Sequence, residues 1–173
     1  MAPRSAIFSR RLSAQCGVIY LAVLFLVAAT GAGLATFGRV WSTDAQRERE
    51  ADLLDAGRAY RRAIARYHDA SPGTVKTYPP SVDSLLLDPR FPNPRRHLRR
   101  PIPDPMTGVA DWILLPAPGG GIAGVASRSE QEPLKRTGFS GHNRVFAELA
   151  EQRGEHLRYR DWEFIHSPGM LID

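Results

Sequence analysis

The stretch GVIYLAVLFLVAATGAGLATFG, from Gly17 to Gly38, decides the fold, and it contains no charged residue. At about 1.5 Å of rise per helical residue, these 22 residues would reach roughly 33 Å. The hydrocarbon core of a bilayer is about 30 Å thick. A helix buried in a soluble core usually keeps a polar stripe, and this run has none. The sequence therefore predicts a membrane-spanning helix at residues 18–38.

The charges on either side of this run predict its orientation. The N-terminal flank carries three arginines and no acid, whereas the C-terminal flank mixes basic and acidic residues. They are Arg4, Arg10 and Arg11 on one side, and Arg39, Asp44, Glu48 and Glu50 on the other. Because positive charge is retained in the cytoplasm, the N-terminus is expected inside and the rest of the chain outside.

The helical pattern continues beyond the apolar run, since no proline occurs between Pro3 and Pro72. Apolar residues recur at three- and four-residue steps among charged ones. This stripe consists of Leu53, Gly57, Tyr60, Ile64 and Tyr67. The pattern predicts one helix over residues 18–70, ended by Ser71-Pro72-Gly73. The alternative is two helices with a break near residues 42–44.

The remaining residues, 73–173, predict a small α+β head. YPPSVDSLLLD (78–88) indicates a short helix capped by Ser81, with Leu85 and Leu86 packed inward. Residues 110–115 and 122–127, joined by PAPGGG, indicate an antiparallel hairpin. Helical spacing follows at 141–152, and an alternating strand is expected at 157–166. The predicted fold class is a long N-terminal helix packed on a small antiparallel sheet.

The sequence offers no enzyme signature. The five histidines show no metal-ligand spacing, and the single cysteine, Cys16, lies next to the apolar run, so the head can hold neither a disulfide nor a Cys/His pair. Residues 119–121 (GGG) precede a strand and lack a following Lys-Ser/Thr, which indicates a hairpin turn rather than a phosphate loop. We therefore expect no catalytic activity, no cofactor and no bound metal.

Composition also argues against a nucleic-acid partner. The net charge is +5, from 21 Arg and 2 Lys against 18 acids, and it falls to +2 without the three arginines that precede the apolar run. So small a net charge gives little reason to expect that the protein binds nucleic acid.

Two local clusters remain open to more than one interpretation. Residues 95–100 hold a basic cluster that suits either an acidic partner or lipid headgroups, or else a solvated loop paired with Asp88 and Asp104. Residues 127–132 hold oxygens that could bind calcium, although basic residues stand nearby. These oxygens belong to Ser127, Ser129, Glu130 and Glu132.

The layout resembles type IV pilin-like proteins, and most closely the pseudopilins of type II secretion systems (the PulG/GspG-like group). Such proteins begin with a short basic leader that ends in Gly, followed by a hydrophobic helix that becomes the spine of an α+β head. Here the leader would be residues 1–17. The segments YPPS…LL (78–86) and RRPIPDPMTG (99–108) resemble family elements that follow the long helix. At the first and fifth positions after Gly17, where the family usually has Phe or Met and Glu, this chain has Val18 and Ala22, which suits a minor or divergent pseudopilin.

The resemblance implies a structural role without catalysis. A prepilin peptidase would cut after Gly17, and the amine of Val18 would be methylated. It also implies domains at 1–17 (leader), 18–72 (long helix) and 73–173 (periplasmic head) in a single-pass protein of the bacterial inner membrane. The expected partners are prepilin peptidase, other pseudopilins, the inner-membrane assembly platform and the lipid bilayer.

Two other possibilities remain at the level of sequence. The chain could be an uncleaved, signal-anchored binding or assembly module that faces the periplasm. It could also be a soluble domain released by ordinary signal peptidase, since small residues such as Ala28 and Ala29 imitate a cleavage site.

Overall fold

The computed structural model describes residues 12–168, with side chains described for residues 17–31 and 41–168. It divides into two compact units, one up to Ala45 and one from Gln46 on. The helices and strands are, in order, α1 (Leu12–Asp69), α2 (Asp83–Leu86), β1 (Ile113–Pro116), β2 (Ile122–Ala126), α3 (Val145–Arg153) and β3 (Phe164–Ile165). The predicted α+β class with a small antiparallel sheet is confirmed.

Helix α1 covers 58 residues in one piece. It begins at Leu12, earlier than the predicted start, and ends at Asp69, next to the predicted end. It runs unbroken through residues 42–44, so the alternative of two separate helices is wrong. The helix stops before Pro72, which has no N–H to continue the ladder, and Gly73, which has a φ of 83°.

Within the described part of the chain, no helix is both long and apolar enough to cross a membrane. The side chains of residues 32–38, part of the span predicted at 18–38, lie outside the described set. Residues 1–11 of the predicted leader also lie outside the described residues.

The predicted apolar stripe of α1 is buried and forms one wall of the core of the second unit. It faces an aromatic cluster in which Phe146 and Trp162 stack at 5.5 Å and Phe164 meets Phe146 edge-on at 5.4 Å. Gly57 lets the ring of Phe164 rest against the helix backbone, since a Cβ at position 57 would lie 2.3 Å from that ring. Burying each large apolar side chain stabilises the head by about 1.5–3 kcal/mol.

Strand β2 is the centre of the sheet and pairs antiparallel with β1 on one side and β3 on the other. The hairpin predicted at 110–115 and 122–127 is confirmed. Gly119, Gly120 and Gly121 form its connection and all have φ between 86° and 99°, which only glycine adopts easily. The interpretation of this triplet as a turn is therefore confirmed.

The last predicted strand, 157–166, is mostly wrong, because only the two residues of β3 are extended partners of β2. A 3₁₀ turn precedes β3, closed by the Asp161 carboxylate, which accepts a hydrogen bond from Arg158 N at 2.8 Å. The turn shifts the phase of burial, so Leu157 and Trp162 are both buried. A regular alternation would have placed these two side chains on opposite faces.

Two helix predictions have mixed outcomes. The helix at 141–152 is confirmed as α3, preceded by a 3₁₀ turn. Leu85 is buried and Leu86 partly buried, as expected. The cap at Ser81 is wrong, because α2 has no side-chain cap bond. The Ser81 hydroxyl instead lies 3.2 Å from that of Ser84.

Candidate functional site

The first part of α1 exposes apolar side chains in a continuous run. Between residues 18 and 27, nine side chains keep 48–78% of their surface exposed. They are Val18, Ile19, Tyr20, Leu21, Val23, Leu24, Phe25, Leu26 and Val27. Monomeric soluble proteins rarely leave so continuous an apolar surface uncovered. We call residues 18–27 the apolar segment, and such a surface can bind lipid or the apolar surface of another helix.

Two residues just beyond the apolar segment are compatible with apolar surroundings. The Thr30 hydroxyl donates to the carbonyls of Leu26 at 3.0 Å and Val27 at 2.9 Å. A hydroxyl without a partner would cost several kcal/mol in hydrocarbon, and this internal bond avoids that cost. Gly31 has open space where a Cβ would stand, so another helix can approach the backbone closely there.

The predicted processing site, Gly17 and Val18, lies in the first turns of α1. Both residues are exposed, and, apart from its chain neighbours and the adjoining helix backbone, no described atom lies within 4 Å of a Cβ built on Gly17. A glycine inside a helix weakens it by about 1 kcal/mol relative to alanine. The Gly17–Val18 bond is therefore accessible and sits where local unwinding costs little.

Polar side chains of α1 fasten the start of the second unit to the loop before α3 and to Tyr159, which follows α3. Gln46 Nε2 donates to the carbonyl of Glu132 at 3.0 Å and to the Tyr159 hydroxyl at 3.1 Å. Glu50, one of the acids in the C-terminal flank, is buried and accepts a hydrogen bond from Lys135 N at 2.9 Å. Burial raises the pKa of the Glu50 carboxyl and raises the pKa of Tyr159 to about 12.

The DPMTG motif (104–108) forms a turn around the carboxylate of Asp104, which is fully buried. One oxygen accepts from Met106 N at 2.9 Å, and the other accepts from the Ser127 hydroxyl at 2.6 Å. The N–H of Gly108, which has a φ of 78°, donates a hydrogen bond to the Asp104 carbonyl at 2.7 Å. The motif therefore ties the loop before β1 to the end of β2, and its role in the described structure is architectural.

A second buried carboxylate, Asp88, holds the C-terminal end of α1. It accepts from Arg90 Nε at 2.9 Å and Nη2 at 2.7 Å, and His97 Nε2 lies 3.0 Å away. The hydrogen bonds from Arg90 are the main reason that the pKa of Asp88 falls from 3.8 to about 2. Arg90 also donates to the carbonyl of Tyr67 at 2.7 Å and covers its ring at 3.5 Å.

The basic cluster at 95–100 is only partly paired with acids in the way that the sequence suggested. His97 does contact Asp88, but Asp104 bonds to Ser127 and to backbone N–H groups rather than to arginine side chains. Three arginines of the cluster instead line an open groove of about 790 Å³ together with two arginines of α1. The groove is lined by Arg62, Arg66, Arg96, Arg99 and Arg100, and none of its described lining residues is acidic. Such a surface attracts anions.

The calcium candidates at 127–132 are not arranged as a metal site. Glu130 pairs with Arg160 at 2.5 Å, and Glu132 pairs with Arg136 at 2.7 Å. The two serines turn their hydroxyls to a buried carboxylate and to the backbone. Each candidate therefore already has a partner within the chain.

No family model matches the chain, and it has no significant match among curated proteins or solved structures.

The structure also brings together two histidines that the sequence did not connect. His68, near the end of α1, and His166, directly after β3, have ring centroids 5.4 Å apart. Their separation along the chain hides this contact from any local motif, so only the tertiary fold reveals it.

Proposed function

We propose that the chain is a pseudopilin-like structural subunit of a type II secretion or type IV pilus-like assembly, made as a precursor that prepilin peptidase cuts after Gly17. One observation carries the proposal. The uninterrupted helix α1 carries the exposed apolar segment near its start and ends as the buried spine of an α+β unit. In this role the chain sits in the bacterial inner membrane with its N-terminus in the cytoplasm and its head in the periplasm.

The apolar segment supports this proposal because its exposed side chains suit both places that a pilin-like helix occupies in turn, the membrane and the assembled fibre. In the membrane, lipid tails cover residues 18–27. In an assembled fibre, the helices of neighbouring subunits replace the lipid, and small residues such as Gly31 permit close approach of the backbones. Burial of apolar surface stabilises either state by about 25 cal/mol per Å² removed from water.

The decisive experiment is N-terminal sequencing of the full-length chain extracted from membranes of cells that contain an active prepilin peptidase. We expect the mature chain to start at Val18 and a Gly17→Leu variant to remain uncut. A matched control, Gly31→Leu, should still be cut, since it changes another glycine of the same helix. An intact Met1, in cells that process a known pseudopilin, contradicts the proposal.

The same preparations separate the two alternatives. An uncleaved signal-anchored module predicts that Gly17→Leu changes neither size nor membrane location. A domain released by ordinary signal peptidase predicts a soluble periplasmic product with an N-terminus beyond the apolar segment.

Assembly is tested by cross-linking. Because Cys16 lies in the leader, the mature chain would contain no cysteine, and a single Leu24→Cys substitution would report on contacts of the apolar segment. We expect disulfide-linked dimers when the assembly platform is present. Equal cross-linking without the platform indicates random collision rather than assembly.

A further inference from the structure

Two histidines and one carboxylate meet at the end of α1, and we propose that they bind a divalent transition-metal ion such as Zn²⁺. One nitrogen each of His68 and His166 and one oxygen of Asp69 lie within 4.8 Å of one another. An ion held between them would draw the three atoms in to the roughly 2.0–2.2 Å at which such ligands bind zinc.

The state of His166 argues for a ligand. Its side chain is buried, with 7% of the residue exposed, and its Nε2 has no hydrogen-bond partner among the described residues. A buried polar atom without a partner destabilises a protein, and most such atoms are paired. Coordination of an ion would use the lone pair on this nitrogen.

The surroundings restrain the backbone of His166 and the ring of His68. His166 N donates to the carbonyl of Ala123 at 2.9 Å, and the Tyr78 hydroxyl donates to the carbonyl of His166 at 3.2 Å. The Tyr78 ring also packs on His68 with a centroid distance of 4.8 Å. Ligands that are fixed in this way bind a metal with less loss of conformational freedom.

The donor set indicates the class of metal. Two imidazoles and one carboxylate suit zinc and neighbouring first-row divalent ions better than calcium or magnesium, which prefer oxygen ligands alone. The Asp69 carboxylate supplies a negative charge that compensates part of the charge of a divalent ion.

A bound ion would join the end of α1 to the chain directly after β3. Binding of the ion requires neither cleavage at Gly17 nor assembly. The metal site and the proposed function can therefore fail separately. Three protein ligands leave a fourth position of a tetrahedral ion for water or for a group from another molecule.

The test uses the full-length chain, purified in detergent without a histidine tag and freed of metal with a chelator. Titration with ZnCl₂ in a calorimeter should show one ion per chain, and zinc should raise the midpoint of thermal unfolding. Asp69→Asn and His166→Gln should each weaken binding at least about tenfold, because even residues that only orient a metal ligand contribute about 10–100-fold. His156→Ala, at an exposed histidine elsewhere, is the matched control and should bind as the parent does.

X-ray absorption of the zinc-loaded chain should show two imidazole nitrogens and no sulfur. A sulfur ligand would place the ion at Cys16 and overturn the proposal, as would absence of zinc uptake or uptake that neither variant weakens. Should His166→Gln fail to fold, Asp69→Asn decides alone, because this side chain is largely exposed and its loss leaves the core intact.

Discussion

Substituting Gly57 by alanine tests how closely α1 packs on the end of the chain. The new Cβ would lie 2.3 Å from the Phe164 ring, whereas carbon atoms in contact are about 3.5–4.0 Å apart. The ring is fully buried and is confined by Phe146, so it must move by more than about 1 Å into an occupied space. Overpacking of this kind costs about 1–3 kcal/mol, and the displacement favours the upper end.

The gain in helix propensity from Gly to Ala, about 1 kcal/mol, offsets part of this cost. The expected net loss is about 2 kcal/mol, which corresponds to a fall of roughly 6–10 °C in the unfolding midpoint for a domain of this size. Urea unfolding of the full-length chain in detergent, followed by fluorescence of the buried Trp112 and Trp162, measures the loss in free energy of unfolding.

Two further variants isolate the steric cause. Gly31→Ala, also in α1 but with open space around its Cβ, should leave unfolding of the head unchanged. In a Phe164→Leu background, Gly57→Ala should cost much less, because the smaller side chain vacates the space. A Gly57→Ala protein as stable as the parent, or an equal cost in both backgrounds, would refute the proposed packing.

Three other predictions concern buried polar groups. The folded-state pKa of Asp88, about 2, lies below its ordinary 3.8, so this carboxylate stabilises the head above pH 4 and loses that effect as pH falls toward 2. Asp88→Asn should therefore cost roughly 2–3 kcal/mol at pH 7 and flatten the acid limb of a stability-versus-pH curve. Ser127→Ala removes a hydrogen bond to the buried Asp104 and should cost about 2 kcal/mol in urea unfolding, whereas the exposed Ser140→Ala should change little. Glu50 has a raised pKa, so its contribution has the opposite sign, and Glu50→Gln should raise the unfolding midpoint at pH 7 but not at pH 4.

The parts of the fold with local signals were predictable from the sequence. The stripe from Leu53 to Tyr67 repeats at helical steps, and this repeat is retained along α1 because no proline or tertiary contact breaks it. The β1–β2 hairpin is encoded by its glycine turn. The strand prediction at 157–166 was mostly wrong because the 3₁₀ turn at Tyr159–Asp161 interrupts the extended backbone. Alternating side chains alone do not reveal where the backbone turns.

The polar sites were less predictable, because their members lie far apart in sequence. One interpretation paired Asp88 with arginines of the basic cluster, but its principal partner is Arg90, which stands outside that cluster. The backbone N–H of Arg90 also donates to the Asp88 carboxylate at 3.0 Å, so local backbone geometry decides this choice, and charge counting does not capture it. The contact between His68 and His166 depends on where α1 ends and where β3 begins, so it follows only from the complete tertiary structure.

The short edge strands of the sheet affect how copies of the head would behave if an assembly brought them close together. Its two outer strands are very short, since β3 has two residues and β1 has four, the last of them Pro116 without an N–H. Short or proline-bearing edges offer few backbone groups to the strand of a neighbour. Heads brought to high local concentration would thus resist fusing edge to edge into continuous sheets. If copies assemble as proposed, their association would then depend on the exposed apolar segment of α1 rather than on their sheets.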